Sequence, residues 1–135
     1  MFDTKIAIII RDDLATWQKL NVTAFLMNGI TGANPGIVGK AYEDRDGNRH
    51  LAMSVQPVIV LAGPANVLTN IRNRANDRGV DTVAYIEEMF GTEHDEANRA
   101  VFAEHVATEA NTVGIALRAD RKIVDKITKG AKMHG

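Results

Sequence analysis

The segment IIIRDDLATWQKLNVTAFLM (residues 8–27) decides the fold of this chain. It begins in a run of β-branched residues, which predicts a strand covered on both faces over Lys5–Ile10. Asp12 or Asp13 then offers the N-cap of a helix that we expect from Leu14 to Met27. This helix is apolar around its whole circumference, so more than one surface must cover it. We therefore expect it to pack on a sheet and to take part in a homodimer.

Strands and helices alternate in the rest of the chain. Three further strands are expected, at 57–62, 81–86 and 112–117. Three further helices are expected, at 64–78, 92–105 and 121–129. Glycines make 29–39 a predicted loop, and Asp46-Gly47 predicts a hairpin turn within 42–53. The alternation indicates an α/β sandwich with four strands, formed by one domain over residues 1–135.

Composition excludes several classes of protein. With 135 residues, 45% hydrophobic and 24% charged, the chain has the size and composition of one globular domain. It has no cysteine, which excludes disulfides, thiolate catalysis and zinc–thiolate sites. The N-terminal residues lack the zones of a signal peptide, and no apolar run approaches the roughly 20 residues needed to cross a bilayer. We therefore expect a cytoplasmic protein that does not enter a membrane.

The C-terminal part is basic although the formal net charge of the chain is only −1. After residue 117 six basic residues accompany two aspartates: Arg118, Arg121, Lys122, Lys126, Lys129 and Lys132. A basic segment of this kind can contact the phosphates of RNA. The alternative is an ordinary solvated helix face.

Three charged residues, Arg11, Asp12 and Asp13, follow the first strand directly. In open α/β sheets, ligands bind at the carboxyl ends of strands, where loops meet helix N-termini. The sequence therefore predicts a cleft at this edge that binds a small molecule or a nucleotide. These three residues are expected to be among those that contact the bound molecule. The alternative is that one aspartate caps the helix and the other pairs with Arg11.

The densest polar cluster lies in the segment Thr92-Glu93-His94-Asp95. A histidine oriented by a carboxylate can act as a general base toward a water or a hydroxyl, so Thr92, His94 and Asp95 are candidate catalytic residues of a hydrolase. Asn98 and Arg99 follow on the same helix and are candidate ligand-binding residues. The alternative is an acidic helix start with an Asp95–Arg99 ion pair. No pair of histidines has a metal-binding spacing, so we expect no metal and no cofactor.

Two stretches carry a resemblance to a known family. KIAIIIRDDL (5–14) and VGIALRADRKIVDKITKGAKMHG (113–135) resemble the first strand and the last strand–helix unit of the type II peptidyl-tRNA hydrolases. The longer string that includes QPVIVLAG (56–63) and EMFGTEHDEANRA (88–100) more closely resembles the domain-of-unknown-function family numbered two thousand, similar in fold to those hydrolases. The resemblance implies a three-layer α/β/α sandwich with a four-stranded mixed sheet. It also implies an activity on the ester that joins a peptide to transfer RNA.

The residues of those hydrolases are matched only in part. They place a lysine before a Val-Ala-Ala run and a glutamine one helical turn later, and Asn21 and Phe25 occupy the matching positions. Lys19 lies roughly 200° around the helix from Asn21, so it does not serve the same face. Lys126 and Thr128 belong to a segment that echoes the hydrolases' last motif.

The sequence therefore predicts a hydrolase-like scaffold without the lysine-centred chemistry, and Lys19, Asn21, Lys126 and Thr128 are candidate ligand-binding residues. Its expected function is binding of a small molecule or nucleotide. The alternatives are hydrolysis of an ester or amide and contact with RNA.

Overall fold

The computed structural model describes residues 2–135, within which there are seven strands and four helices. The strands are Thr4–Arg11 (β1), Tyr42–Glu43 (β2), Arg49–His50 (β3), Val58–Gly63 (β4), Thr82–Ile86 (β5), Thr112–Asp120 (β6) and Lys132–Met133 (β7). The helices are Thr16–Ala33 (α1), Ala65–Asp77 (α2), Asp95–Ala103 (α3) and Arg121–Ile127 (α4). Two 3-10 turns lie at Pro35–Ile37 and Glu87–Gly91. In this part of the chain no helix is both long and apolar enough to cross a membrane.

The main sheet is mixed and has the strand order β5-β6-β1-β4-β7. Within it, Ile8 of β1 lies opposite Val60 of the parallel strand β4 and opposite Ala116 of the antiparallel strand β6. The prediction of four strands was wrong, because β7 pairs with the edge of β4 as a fifth. A strand of two exposed residues is too short to show the alternation by which strands are predicted.

Helices cover both faces of this sheet. On one face the buried cluster draws on β1 and α1: Ile6, Ile8, Ile10, Val22 and Leu26. On the other face it draws on β1, α2 and α4: Ala7, Ile9, Leu68, Ile71, Val124 and Ile127. Alternate residues of β1 therefore point into two different cores, as predicted for a strand buried on both sides.

Helix α1 is longer than predicted and runs through two glycines of the expected loop. Gly29 contacts β5, where an added Cβ would lie 2.7 Å from Val83 Cγ2, so glycine here permits close packing and not a turn. The helix ends at Asn34, whose side-chain amide donates to the Ile30 carbonyl at 2.9 Å. Because Pro35 follows, the helical conformation is disfavoured at Asn34, whose φ of −133° and ψ of 63° lie outside it, and the helix stops there.

The start of α1 also differs from the prediction. The N-cap is Ala15, and neither Asp12 nor Asp13 caps the helix. Leu14 is buried in the core that lies beneath α1, so the chain dips inward before the helix begins. Gln18 reaches back, and its side-chain carbonyl accepts a hydrogen bond from the Ala15 N–H at 3.0 Å.

One side of α1 remains uncovered by its own chain. Its buried residues are Val22, Leu26 and Ile30. On the outer side Trp17 and Leu20 are 62% and 68% exposed. Self-association through this side stays a prediction, which sedimentation at micromolar concentration can test.

Candidate functional site

A cleft of about 340 Å³ lies between one flank of α1 and the segment that follows β5. We name it the aromatic cleft and define it by its lining residues: Trp17, Asn21, Phe25, Tyr85, Met89, Phe90, Thr92, Glu93, His94, Asp95 and Asn98. It lies at the carboxyl end of β5, because that strand ends directly after Tyr85 and the 3-10 turn carries Met89 and Phe90. The aromatic cleft thus lies at a strand's carboxyl end, as predicted for a cleft, but Arg11, Asp12 and Asp13 after β1 do not line it.

Four aromatic rings form the walls. Helix α1 presents Trp17 and Phe25 on the flank it shares with Asn21, at a spacing of one helical turn between successive residues. The rings of Trp17 and Phe90 meet edge to face, with centroids 5.9 Å apart. Tyr85 lies 5.2 Å from Phe90 and 5.9 Å from Phe25, and both pairs are tilted. The rings therefore surround a space and do not form a single stack.

Tyr85 forms the dry end of the cleft. It is 6% exposed and belongs to the core beneath α1. Burial raises the pKa of its hydroxyl above the ordinary value of 10.0, because the phenolate would lose its hydration. Hydrogen bonds and charge interactions at this end of the cleft are therefore less weakened by water than those at the exposed end.

Asparagine amides add hydrogen-bonding groups to the walls. Asn21 is exposed on α1, and Asn98 faces it from α3. The Thr92 hydroxyl contacts the Asn98 side chain and donates to the Met89 carbonyl at 2.9 Å. Since the hydroxyl has one proton, Thr92 is engaged within the protein and fixes the position of Asn98.

The proposed catalytic chain from Thr92 through His94 to Asp95 is not formed. His94 is the N-cap of α3, and its Nδ1 accepts a hydrogen bond from the Ala97 N–H at 3.2 Å. Asp95 pairs instead with Arg99, at 2.7 Å and with both side chains about three-quarters exposed. The predicted start of this helix at residue 92 was therefore wrong, and the ion-pair alternative is confirmed.

The cleft is acidic in character. Glu93 and Asp95 are the carboxylates that line it, and neither lysine nor arginine is among its lining residues. Arg99 lies close by, but it is held by Asp95 outside the lining. Within residues 2–135 no group of three His, Asp or Glu side chains is placed to hold a metal ion.

Arg11 and its neighbours lie outside the aromatic cleft. Arg11 donates to Asp13 at 2.6 Å and to Glu87 at 3.2 Å, which ties the end of β1 to the turn after β5. Desolvation alone would lower the pKa of Arg11, but its hydrogen bonds to these two carboxylates raise it above the ordinary value. Asp12 is exposed, and its N–H donates to the Gly63 carbonyl. The pairing alternative is confirmed for Arg11 and Asp13.

Lys19 lies on the opposite flank of α1 from Asn21, as helix geometry predicted. Its ammonium is 3.3 Å from Nε2 of His134. The two residues line a separate cavity of about 360 Å³, which we name the Lys19 cavity and define by its lining: Ile10, Thr16, Lys19, Leu20, Thr23, Val60, His134 and Gly135. Lys19 therefore does not replace the cation that is missing from the position of Asn21.

Lys126 and Thr128 are also remote from the aromatic cleft. Helix α4 contributes to the core on the face of the sheet opposite α1. Thr128 is buried at the end of α4, where its hydroxyl donates to the Val124 carbonyl at 2.9 Å. Its role is to close the helix, and Lys126 is exposed to solvent on that side of the molecule.

The basic residues of the C-terminal part do not share one surface. Arg118 lies opposite Ile6 and so points to the α1 face, where it donates to Gln56 at 3.0 Å and to Asn34 at 3.2 Å. Lys122 is exposed on α4, which packs on the other face. A nucleic acid would therefore meet only part of this charge from either side.

Five predicted site residues thus line the aromatic cleft: Asn21, Thr92, His94, Asp95 and Asn98. The aromatic walls were missed. The chain has only four Phe, two Tyr and one Trp, and four of these seven residues line one cleft. The spacing of Trp17, Asn21 and Phe25 along one helix flank was the signal available in the sequence.

Comparison with known proteins places the chain in a family. Residues 4–135 match the family described as protein of unknown function (DUF2000), and the chain belongs to that family. A solved structure, that of the protein of unknown function Atu0240 from Agrobacterium tumefaciens strain C58, is 57% identical in sequence. The similarity covers 100% of both chains with a TM-score of 0.99. No curated protein matches the chain.

Proposed function

We propose that this protein binds a small molecule in the aromatic cleft. The observation that carries the proposal is the convergence of four aromatic side chains and two asparagine amides on one cavity of about 340 Å³. Small-molecule sites are typically concave and mainly apolar, with a few polar groups that orient the ligand. The volume falls in the range common for such sites, which is roughly 300–1,000 Å³.

The lining favours a ligand without phosphate groups over a nucleotide. Phosphate recognition needs cationic side chains or free backbone N–H groups directed at the ligand. Among the lining residues, the charged ones are the carboxylates Glu93 and Asp95, which repel a phosphate. A nucleobase or nucleoside is compatible with the walls, whereas a nucleoside di- or triphosphate is not.

Hydrolysis has less support. The lone pair of His94 that would accept a proton already accepts the hydrogen bond that caps α3. The Thr92 hydroxyl donates its proton to the Met89 carbonyl. A type II peptidyl-tRNA hydrolase-like scaffold is proposed for the fold alone, supported by helices on both faces of a mixed sheet. Transfer of the activity lacks support, because Asn21 and Phe25 occupy the matching positions and Lys19 lines another cavity.

RNA contact also has less support, because the basic residues are divided between the two faces of the sheet. If RNA binding were found, recognition by these bases requires that the affinity fall steeply with added salt. Binding that resists salt would contradict a role for them.

The test is a ligand screen read by thermal unfolding and by the fluorescence of Trp17, the single tryptophan. A panel of neutral and charged metabolites is used, and a ligand that binds the folded state raises the melting temperature. Asn21→Ala is expected to weaken binding about fivefold, since it removes one hydrogen bond of roughly 1 kcal/mol. Asn28→Ala is the matched control, because Asn28 is an exposed asparagine of the same helix that does not line the cleft. An affinity lowered equally by both variants, or a panel without any binder, contradicts the proposal.

A further inference from the structure

The arrangement of the four rings limits the shape of a ligand that contacts them. The interplanar angles are 68° for Trp17–Phe90, 53° for Phe25–Tyr85 and 47° for Tyr85–Phe90. A flat ligand stacks best between parallel rings, and no pair here is parallel. Rings inclined to one another present their faces and edges around a compact, rounded group.

The faces of these rings carry negative electrostatic potential. An aromatic quadrupole attracts a cation placed over the ring within about 6 Å of its centroid. The protein contains such a contact elsewhere: the guanidinium carbon of Arg72 lies 4.8 Å from the centroid of Phe102. Among residues 2–135 no such contact is made to the rings of the aromatic cleft. Trp17 and Phe25 are more than half exposed, so a cation from outside can reach them.

Carboxylates add to this negative potential. Glu93 lines the cleft and makes no ion pair within residues 2–135. Asp95 is partly neutralised by Arg99, at an exposed site where the pair is weak. With two carboxylates and without Lys or Arg in the lining, the cleft attracts positive charge and repels negative charge.

We infer that the ligand of the aromatic cleft is an organic cation, either a quaternary ammonium compound or a protonated amine with an apolar substituent. This inference rests on the proposed function, because it assigns the charge of the molecule that occupies the same site. The rings of Trp17, Phe25 and Phe90 contact the apolar surface of the cationic group. Glu93 supplies the countercharge, and the amides of Asn21 and Asn98 bind a polar substituent.

The experiment compares choline with 3,3-dimethylbutan-1-ol, in which a carbon atom replaces the charged nitrogen and the shape is kept. Titrations of the intact protein are followed by Trp17 fluorescence and by calorimetry. We expect choline to bind at least about fivefold more tightly than the alcohol. This is the gain in affinity expected when a cation lies over aromatic faces. Added sodium chloride is expected to narrow this difference, since it screens the carboxylates.

Two variants distinguish the contribution of charge to binding from the contribution of shape. Glu93→Gln removes one negative charge with little change in size and is expected to reduce the preference for choline by about two- to fivefold. Glu96→Gln is the matched control, because Glu96 is exposed on α3 but does not line the cleft. Phe90→Leu is expected to weaken the binding of choline more than the binding of the alcohol. Leucine keeps the apolar contact but lacks the aromatic quadrupole.

Each outcome has one meaning. Tighter binding of choline that depends on Glu93 and Phe90 supports the inference. Equal or tighter binding of the alcohol overturns it and leaves the proposed small-molecule site standing. If neither compound binds and the molecules of the screen that do bind are neutral or anionic, the inference is again overturned. Failure of the whole screen overturns the proposed function itself.

Discussion

Gly114 of β6 lies directly beneath Val22 of α1, and a side chain at that glycine would overlap with Val22 Cγ1. The same added Cβ would lie 3.0 Å from Leu26 Cδ1. The helix that carries one wall of the aromatic cleft therefore packs closely on the sheet here because Gly114 has no side chain. Two predictions follow from the way in which glycines hold α1 in place.

Gly114→Ala is expected to lower the free energy of unfolding by about 1–3 kcal/mol, because the added methyl group overpacks a fully buried contact. Urea unfolding followed by circular dichroism measures the change. Adding Val22→Ala to this variant is expected to recover part of the loss, so the two substitutions are non-additive. Strict additivity of the two effects contradicts the contact.

Gly29 and Gly32 occur in the same helix and are expected to respond in opposite directions to alanine. Alanine at Gly29 meets Val83 at 2.7 Å and is destabilising by about 1–3 kcal/mol. An added Cβ at Gly32 has no neighbour within 4 Å, so the better helix propensity of alanine stabilises by up to about 1 kcal/mol. Urea unfolding followed by circular dichroism measures the free energy of unfolding of both variants. A stabilising Gly29→Ala would show that α1 is not seated against β5 in this way.

His94→Ala is expected to cost about 1 kcal/mol of stability, because the first turn of α3 loses the acceptor for the Ala97 N–H. His94→Asn keeps a side-chain acceptor at the N-cap and is expected to retain most of the stability. Thermal unfolding of the two variants gives the comparison. Equal loss in both variants contradicts the capping role and reopens the use of His94 in chemistry.

Alkaline pH is expected to destabilise the fold through Tyr85. Burial raises its pKa in the folded state above the ordinary 10.0, so the unfolded chain releases this proton first. The stabilising contribution is complete below pH 10 and is lost as the pH rises from there through the higher folded value. In a Tyr42→Phe background Tyr85 is the single tyrosine, and its phenolate absorbance is followed directly. Ionisation at or below pH 10 contradicts the burial, and Tyr85→Phe is expected to abolish this pH dependence.

The parts of the fold that the sequence predicted are those that depend on local periodicity. The β-branched run of β1 is buried on both faces, and the rotation between Lys19 and Asn21 does separate them onto two flanks of α1. The extent of α1 was underestimated because Gly29 was interpreted through its backbone freedom. Its actual constraint is the distance to Val83, which is a tertiary contact and leaves no local pattern.

The site was predicted less well than the fold for a similar reason. Phe25 and Tyr85 are 60 positions apart in the chain and meet only through the packing of α1 on β5. Lys126 and Thr128 were chosen by resemblance to another family, and tertiary structure places them on the other side of the sheet. The polar cluster after β5 was identified because its members are close in sequence, although their hydrogen bonds fix the helix start.

The close packing of α1 on the sheet, through its own Gly29 and through Gly114 of β6, has a thermodynamic consequence for the proposed small-molecule site. A helix that is locked against the sheet holds Trp17 and Asn21 in place before any ligand arrives. Little conformational entropy is then lost when the complex forms, so modest contact area suffices for useful affinity. Close packing of the helix backbone also disfavours molecules of the wrong size, because admitting them would require α1 to move away from the sheet.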